Sequence, residues 1–338
     1  MSFSTQNLGC KVFFDKGANI TMIEDHDGSK YHPGDKLWEW AKQKARTNVF
    51  IINAMHHLIV YHLHWANIPG MAIRMFLGPT HPFREAMTSH FFRTHITCFQ
   101  AKDFLIAEYG PLHRSLPFEY EGGYRDIYNK VVGDFRFIEY TKELEDAGLN
   151  DDEFHVGATD GLVLRAAMMN YISNLVDELY PTEEALKEDA AMRDAYGYLG
   201  KKMKGVPAEY NMQNAKLVWG EILFRVTGGH TNMGNVAIST LEPFFINFRM
   251  NKSDKGQLLG NRETLAIVSV IGGLTQPDEY PTIRDDWRHV LHDPMSPSYE
   301  ALQEELRPIA EDIDARNKKR QFVNVDYHPE HVMISTFS

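Results

Sequence analysis

At 338 residues the chain is long enough to bury a substantial core, and its apolar content of 43% marks a folded globular protein. Its 35 Lys and Arg against 46 Asp and Glu leave a formal charge of −11, which disfavours nucleic acid, since recognition of a phosphate backbone needs a concentrated basic surface. Cys10 and Cys98, the two cysteines, supply neither a disulfide framework nor a thiolate metal site.

No stretch approaches about 18 uninterrupted apolar residues, so no transmembrane segment is expected. The first residues lack the basic and apolar regions of a secretory signal. A soluble, cytoplasmic protein is the expectation.

Residues 1–36 are rich in Gly, Asp, Asn and Lys and read as a meandering amino-terminal arm; residues 37–338 read as a single helical domain. Leu37, Trp38, Ala41 and Ala45 recur at helical spacing. Thr47 and Asn48 are expected to interrupt that helix before an apolar, histidine-bearing segment over 49–65, which Asn67 and Pro69-Gly70 then break or kink. A turn at 78–82 leads into helical periodicity over 83–106. Residues 110–123 are turn-rich, and a further helix is expected over 124–140. The apolar run over 160–179 carries Leu162, Leu164, Ala167, Met168, Ile172, Leu175 and Val176. Thr182, followed by Glu183 and Glu184, has the character of a helix start. Residues 217–226 lead into Thr227-Gly228-Gly229-His230. Helices are also expected over 264–272 and 298–319, the second burying Leu302, Leu306, Ile309 and Ile313. The basic run Lys318, Lys319, Arg320 reads as solvated surface, and 321–338 as an extended tail. Few alternating runs are bounded by hairpin turns, so the expected class is all-α.

Histidine is abundant, with 16 residues, and His56, His57, His62 and His64 crowd one apolar helix. Burying several imidazoles costs free energy unless each finds a partner. A shared metal is one solution, and ordinary hydrogen-bonded core histidines are another. In an ideal α-helix positions 57 and 62 differ by about 140°, so they share a face only if a π-type turn lies between them. Asn53 and His57, four apart, share a face without one. In the second cluster, Gly229-His230-Thr231-Asn232-Met233-Gly234-Asn235, the same-face position four residues after His230 is Gly234, with Asn235 one step beyond. Gly228 and Gly229 are suited to close helix packing or to a ligand approaching the backbone.

The order of these elements resembles the lipoxygenase family. Ala41-Lys42, Asn48 and His57-Leu58-Ile59-Val60-Tyr61-His62-Leu63 are similar to the family's metal-binding helix. His81-Pro82-Phe83-Arg84-Glu85-Ala86-Met87-Thr88-Ser89-His90 is similar to its His-Pro signature, followed by Phe104-Leu105-Ile106. Asp160-Gly161-Leu162, Tyr180 and Thr227-Gly228-Gly229-His230 follow in order, and Glu304-Glu305-Leu306, Arg316-Asn317, Tyr327, Pro329 and Val332-Met333-Ile334 resemble the carboxy-terminal run. The match covers roughly residues 37–334. It reaches a shortened catalytic portion only, with no counterpart of the amino-terminal β-barrel domain of animal and plant members.

The resemblance implies a lipoxygenase-like helical catalytic domain built on a long central metal-binding helix. It implies non-haem iron, with manganese as the next candidate. The implied reaction removes hydrogen from an activated C–H of an apolar unsaturated substrate and adds dioxygen. Aligned on the histidine spacing, His57, His62 and His230 are the metal-binding and catalytic residues; aligned on the downstream motif, the first ligand falls near Ile52 or Asn53. The family's next ligand position falls on Gly234, which leaves Asn235 as a possible fourth ligand. Ile334 matches the family's last residue, but four residues follow it, so a terminal carboxylate ligand would come from Ser338; His331, Asp326 and Glu330 are lesser substitutes. Phe83, Phe91, Phe92, Met71 and Met233 are candidates to line an apolar tunnel, and Arg84 or Arg93 to anchor a carboxylate. Two other readings stand beside this one: a metal-dependent desaturase, cyclase or isomerase of a secondary metabolite, and a non-enzymatic helical protein that binds an apolar ligand.

Overall fold

The computed structural model describes residues 9–15, 17, 19–115, 120–150, 155–235, 262, 265, 266, 268–270, 280–287, 296–321 and 323–337. Helices dominate these residues, as the all-α expectation requires, with one small sheet added.

That sheet lies in the supposed arm. β1 (Cys10–Phe14), β2 (Ile20–Asp25) and β3 (Lys30–Tyr31) form an antiparallel meander. The first turn is closed by the Asp15 carboxylate, which accepts from the backbone of Gly17 and Asn19 at 2.8 and 2.9 Å. Ile23 and Tyr31 pack with Trp40, Ala41 and Ala45 of the first helix, and Lys44 of that helix pairs with buried Asp25. The arm is therefore folded onto the domain. Its strands are short and its turns rich in Asp, Asn and Gly, so their alternation is hidden among turn residues.

α1 (Trp38–His56) passes directly into a π-helical segment, His57–Ala66, and then into α2 (Asn67–Phe76). Thr47 and Asn48 do not interrupt it. Thr47 is wholly buried, and Asn48 reaches Cys10 Sγ at 3.8 Å. Each costs less than about 1 kcal/mol in intrinsic helix propensity, which burial of a single large side chain such as Phe50 offsets by about 1.5–3 kcal/mol. Pro69 does not end the helix either. It falls in the first turn after the π segment, where the hydrogen-bond register changes and a missing N–H costs least.

The expected helix over 83–106 is divided into α3 (Pro82–Thr88), a 3-10 turn (Ser89–Phe91), α4 (Thr94–Gln100) and a π turn (Ala101–Leu105). The break is at Arg93, whose φ is 58°. The region read as turns holds α5 (Pro111–Ser115) and a π turn, Tyr120–Tyr124. The helix expected over 124–140 is α6 (Arg125–Asp134), followed by an irregular link and α7 (Tyr140–Asp146).

The core is centred on α8 (Leu162–Leu179), which follows a π turn at Gly157–Gly161. Leu164, Ala167, Met168, Tyr171, Ile172 and Leu175 recur at helical spacing and are buried, because α8 packs against both α11 (Met212–Phe224) and α13 (Pro297–Asn317). Thr182 caps α9 (Glu183–Glu188), accepting from the Ala185 amide at 3.1 Å. Asp189 caps α10 (Ala190–Lys202), a helix that packs on α2 and that the spacing of apolar residues did not reveal. After a π turn at Arg225–Gly229, α12 (His230–Gly234) completes the second histidine-bearing element. The helix expected over 264–272 falls on residues only partly described; those described there, 265, 266 and 268–270, are helical.

Two expectations for the carboxy-terminal part are corrected. Arg320 is not solvated surface but donates to buried Asp160 at 2.6 and 2.8 Å, because a carboxylate with no exposure needs paired donors. The tail is not a free extended arm: Tyr327, Val332, Met333, Ile334, Ser335 and Thr336 are buried, and Met333 bridges to Thr282. No described helix is long and apolar enough to cross a membrane.

Candidate metal centre

The π segment decides the geometry of the first histidine pair. Its i to i+5 hydrogen bonding brings the residue five positions on over the first, so His57 and His62 turn inward together, with Nε2 atoms 3.1 Å apart. The third side comes from α12, whose first residue is His230. Its Nε2 lies 2.8 Å from that of His57 and 3.2 Å from that of His62. The three side chains are 4%, 2% and 0% exposed, and they are the cluster of metal-competent groups among the described residues.

Close helix approach makes this convergence possible. A Cβ at Gly228 would lie 2.7 Å from Leu164 Cδ2, and one at Gly229 would lie 3.0 Å from Tyr61 Cε1. The two glycines thus let the π turn at Arg225–Gly229 press against both α8 and the His57–Ala66 segment.

The donor set fits a first-row divalent ion. Burial, followed by repulsion from His62, holds the His57 pKa well below the ordinary histidine value, so this imidazole is neutral and presents a lone pair. Three nitrogens at the corners of a near-equilateral triangle cannot satisfy one another, because an N–H bond straight along one edge points well away from the third nitrogen. A cation among them resolves this. Three imidazole nitrogens bound at about 2.1 Å to one ion and about 90° apart stand about 3 Å from each other, which matches the observed edges. Nitrogen ligation without thiolate suits non-haem iron or manganese more than a structural zinc site.

The other expected residues are distributed differently. Between the two readings of the first pair, His62 is the residue whose ring meets His57, while Asn53 is half-buried on α1. Asn235 follows α12 and gives its amide to Asp326 Oδ1 at 2.6 Å. Burial pushes the Asp326 carboxyl up to about 6, and the Asn235 hydrogen bond opposes the rise. His64 is bound to the Ile59 carbonyl at 2.7 Å and stacked on Phe135. His331 and Glu330 are exposed. Ile334 offers its main-chain carbonyl to His90 at 3.1 Å. Ser338 lies outside the described residues. The residues before it are fixed to α4 and the turn ahead of it: Ser335 Oγ donates to the Phe92 carbonyl, Thr336 meets Thr94, and Thr97 donates to the Phe337 carbonyl, each at 3.0 Å. From the same helix, Cys98 donates to the His62 carbonyl at 3.3 Å.

A cleft of about 490 Å³ borders the His57–Ala66 segment and α12, walled by Val60, Tyr61, Trp65, Phe135, Ile138 and Met233; the three histidines are not among its lining residues. Of the five expected tunnel residues, Met233 lines it. Phe83 and Phe91 belong to the core, and Phe92 and Met71 are exposed. Arg84 binds the Leu77 carbonyl at 2.7 Å. The cations on the cleft wall are instead Lys130, Arg136 and Arg225. Arg225 is buried, pairs with Glu143 at 2.6 Å and lies over the rings of Trp65 and Tyr140. Sequence reasoning missed Arg225 and Tyr61; a charged residue inside an otherwise apolar run, five positions before His230, was the available signal for the arginine.

A helical fold with three buried histidines from two π-distorted elements defines a lipoxygenase-like protein. No family model matches the chain. It is 23% identical over 227 residues to the polyunsaturated fatty acid lipoxygenase ALOX8 of Mus musculus, covering 64% of this chain and 33% of that protein. It superposes on the coral 8R-lipoxygenase with a TM-score of 0.82 at 15% identity, covering 97% of this chain and 55% of that one. On the manganese lipoxygenase of Gaeumannomyces graminis the TM-score is 0.75 at 17% identity, covering 94% and 64%. The chain has the fold of lipoxygenase catalytic domains, yet spans about a third of the length of the curated relatives it matches.

Proposed function

We propose that the chain is a non-haem metal oxidoreductase of lipoxygenase type, which removes hydrogen from an activated C–H of an apolar unsaturated substrate and adds dioxygen. The convergence of the His57, His62 and His230 Nε2 atoms within 3.2 Å carries this reading. Those three residues would hold iron, or manganese as in one structural neighbour. When bound, the metal supplies the one-electron redox chemistry that such hydrogen removal needs.

The chain's own contribution is placement. Val60, Tyr61, Trp65 and Met233 give the substrate an apolar wall on the two elements that carry the histidines. Arg136, exposed on the cleft wall, offers charge to a carboxylate, whereas Lys130 beside it is paired with Asp134 at 2.6 Å. Asn235, whose Nδ2 donates to Asp326, serves through a bridging water rather than as a direct ligand, and the carboxylate of Ser338 is a candidate further donor. In the balanced reaction one C–H bond and the π bond of dioxygen break while one C–O and one O–H bond form, so that the substrate carbon is oxidised and dioxygen is reduced to the hydroperoxide, with no other co-reactant. A cytoplasmic setting belongs to the same proposal and is supported by two free cysteines.

Metal analysis of untagged protein tests the reading. Near-stoichiometric iron or manganese, lost in His57→Ala and His230→Ala, is expected, together with oxygen uptake on a polyunsaturated fatty acid. A metal-free protein after loading with either ion would sink it.

A further inference from the structure

The glycines near the triad do different things. Gly228 faces Leu164 and Phe224, and Gly229 faces Tyr61 and the Arg225 chain, so both serve packing. Gly234 faces the site itself. A Cβ there would lie 2.9 Å from His57 Nε2, and the three atoms nearest to it all belong to the His57 ring. A side chain at 234 would therefore reach the ligating nitrogen before it met anything else.

Position 234 sits one turn after His230, on the same face of α12. It is the position on this helix from which a second side chain would most directly join His230. The next residue stands about 140° round an α-helix from His230 and so leaves that face, and its Nδ2 donates to Asp326 at 2.6 Å. Among the described His, Cys, Asp and Glu residues the cluster stops at three nitrogens.

A first-row ion held by three nitrogens on one face has three further octahedral positions. Even if the carboxylate of Ser338 fills one, two remain, and any two positions left on a single octahedral face are adjacent. We propose that Gly234 keeps two neighbouring coordination positions clear for a bidentate oxygen donor. The site would then take a substrate that binds through its own paired oxygens, such as an α-hydroxy ketone or an ortho-dihydroxy aromatic group. The reading rests on the proposed metal centre and narrows its substrate class from an apolar unsaturated molecule in general to one carrying a chelating head. The cleft borders the helix that carries Gly234. Met233, the residue before Gly234, is part of its wall, and Tyr61, which packs on Gly229, is another part. The apolar remainder of the molecule has Val60, Trp65 and Phe135 to lie against.

The experiment uses the full chain loaded with cobalt(II), whose visible absorption reports coordination, and acetohydroxamate as the bidentate probe. Cobalt content is measured first. A chain that binds no cobalt, iron or manganese overturns the metal reading, and this inference with it. With cobalt bound, the wild-type chain is expected to show a saturable spectral change with acetohydroxamate. Hydroxamate labelled with oxygen-17 at both oxygens is expected to broaden the cobalt paramagnetic resonance more than label at either oxygen alone. In Gly234→Asn, cobalt is retained while the affinity for hydroxamate falls at least tenfold and that for azide, which needs one position, changes much less. A cobalt-loaded wild-type chain that ignores hydroxamate, or shows coupling to one oxygen only, overturns the inference and leaves the metal reading standing. So does a cobalt-loaded Gly234→Asn that binds hydroxamate as tightly as wild type. If that variant loses the metal through pressure on His57, the two wild-type measurements decide the matter.

Discussion

His90, in the turn after α3, donates from Nδ1 to the carbonyl of Ile334 at 3.1 Å, across 244 positions of chain. Both residues are buried, and the bond ties the carboxy-terminal run to the segment that leads into α4. Burial lowers the His90 pKa from 6.5 to about 4, against the pull of the Ile334 carbonyl. The folded state therefore prefers the neutral ring. Its contribution is fully present above the unfolded value of 6.5 and is lost as the pH falls through 4, at a cost of up to about 3 kcal/mol. Thermal unfolding followed from pH 7 to 4 is expected to show this decline. His90→Gln, which keeps a donor but cannot titrate, flattens the curve over that window; an unchanged slope in the variant rules the assignment out.

The histidine pair can be tested against its sequence alternative. Because the π segment aims His62 and His57 at each other, His62→Ala is expected to lower metal affinity at least tenfold, whereas Asn53→Ala leaves it near wild type. Equilibrium competition with a chromogenic chelator reads both, and equal losses would point to the other register.

At Gly228 the constraint is steric. A Cβ would stand 2.7 Å from Leu164 Cδ2, so Gly228→Ala forces α8 and the π turn apart and is expected to cost about 1–3 kcal/mol by overpacking. Denaturant unfolding gives the value. The double variant Gly228→Ala with Leu164→Ala should recover part of the loss, and no recovery would mean the glycine acts in some other way.

Glu221 is a buried carboxylate without exposure, reached by Arg165 and by the Tyr140 amide. Burial raises its pKa and Arg165 opposes the rise. Arg165→Ala leaves that charge poorly compensated and is expected to destabilise by about 3–5 kcal/mol, more than Glu221→Gln does. Chemical denaturation of the two variants provides the ranking, and the reverse order would show that Arg225 alone suffices to hold the carboxylate.

The parts of this fold legible in the sequence were those with long-range regularity. The apolar spacing of α8, the buried side of α13 and the Thr182 cap all express themselves within one element. The inward pair His57 and His62 was legible as a condition, since five-residue spacing shares a face only in a π turn. What stayed hidden depends on tertiary partners. Thr47 and Asn48 look like breakers until their burial on α1 is known. Arg320 looks like surface until Asp160 appears opposite it. The contact between position 234 and the His57 nitrogen joins residues 177 apart, and no local pattern announces it.

The docking of Ser335, Thr336 and Phe337 onto Phe92, Thr94 and Thr97 bears on how the molecule is made. On the ribosome the receiving groove emerges more than two hundred residues before the strip that fills it. Throughout that interval α4, whose Cys98 donates to the His62 carbonyl, stands without the hydrogen bonds that the tail supplies. A nascent chain stalled short of residue 335 would carry α4 and the turn before it without those three hydrogen bonds.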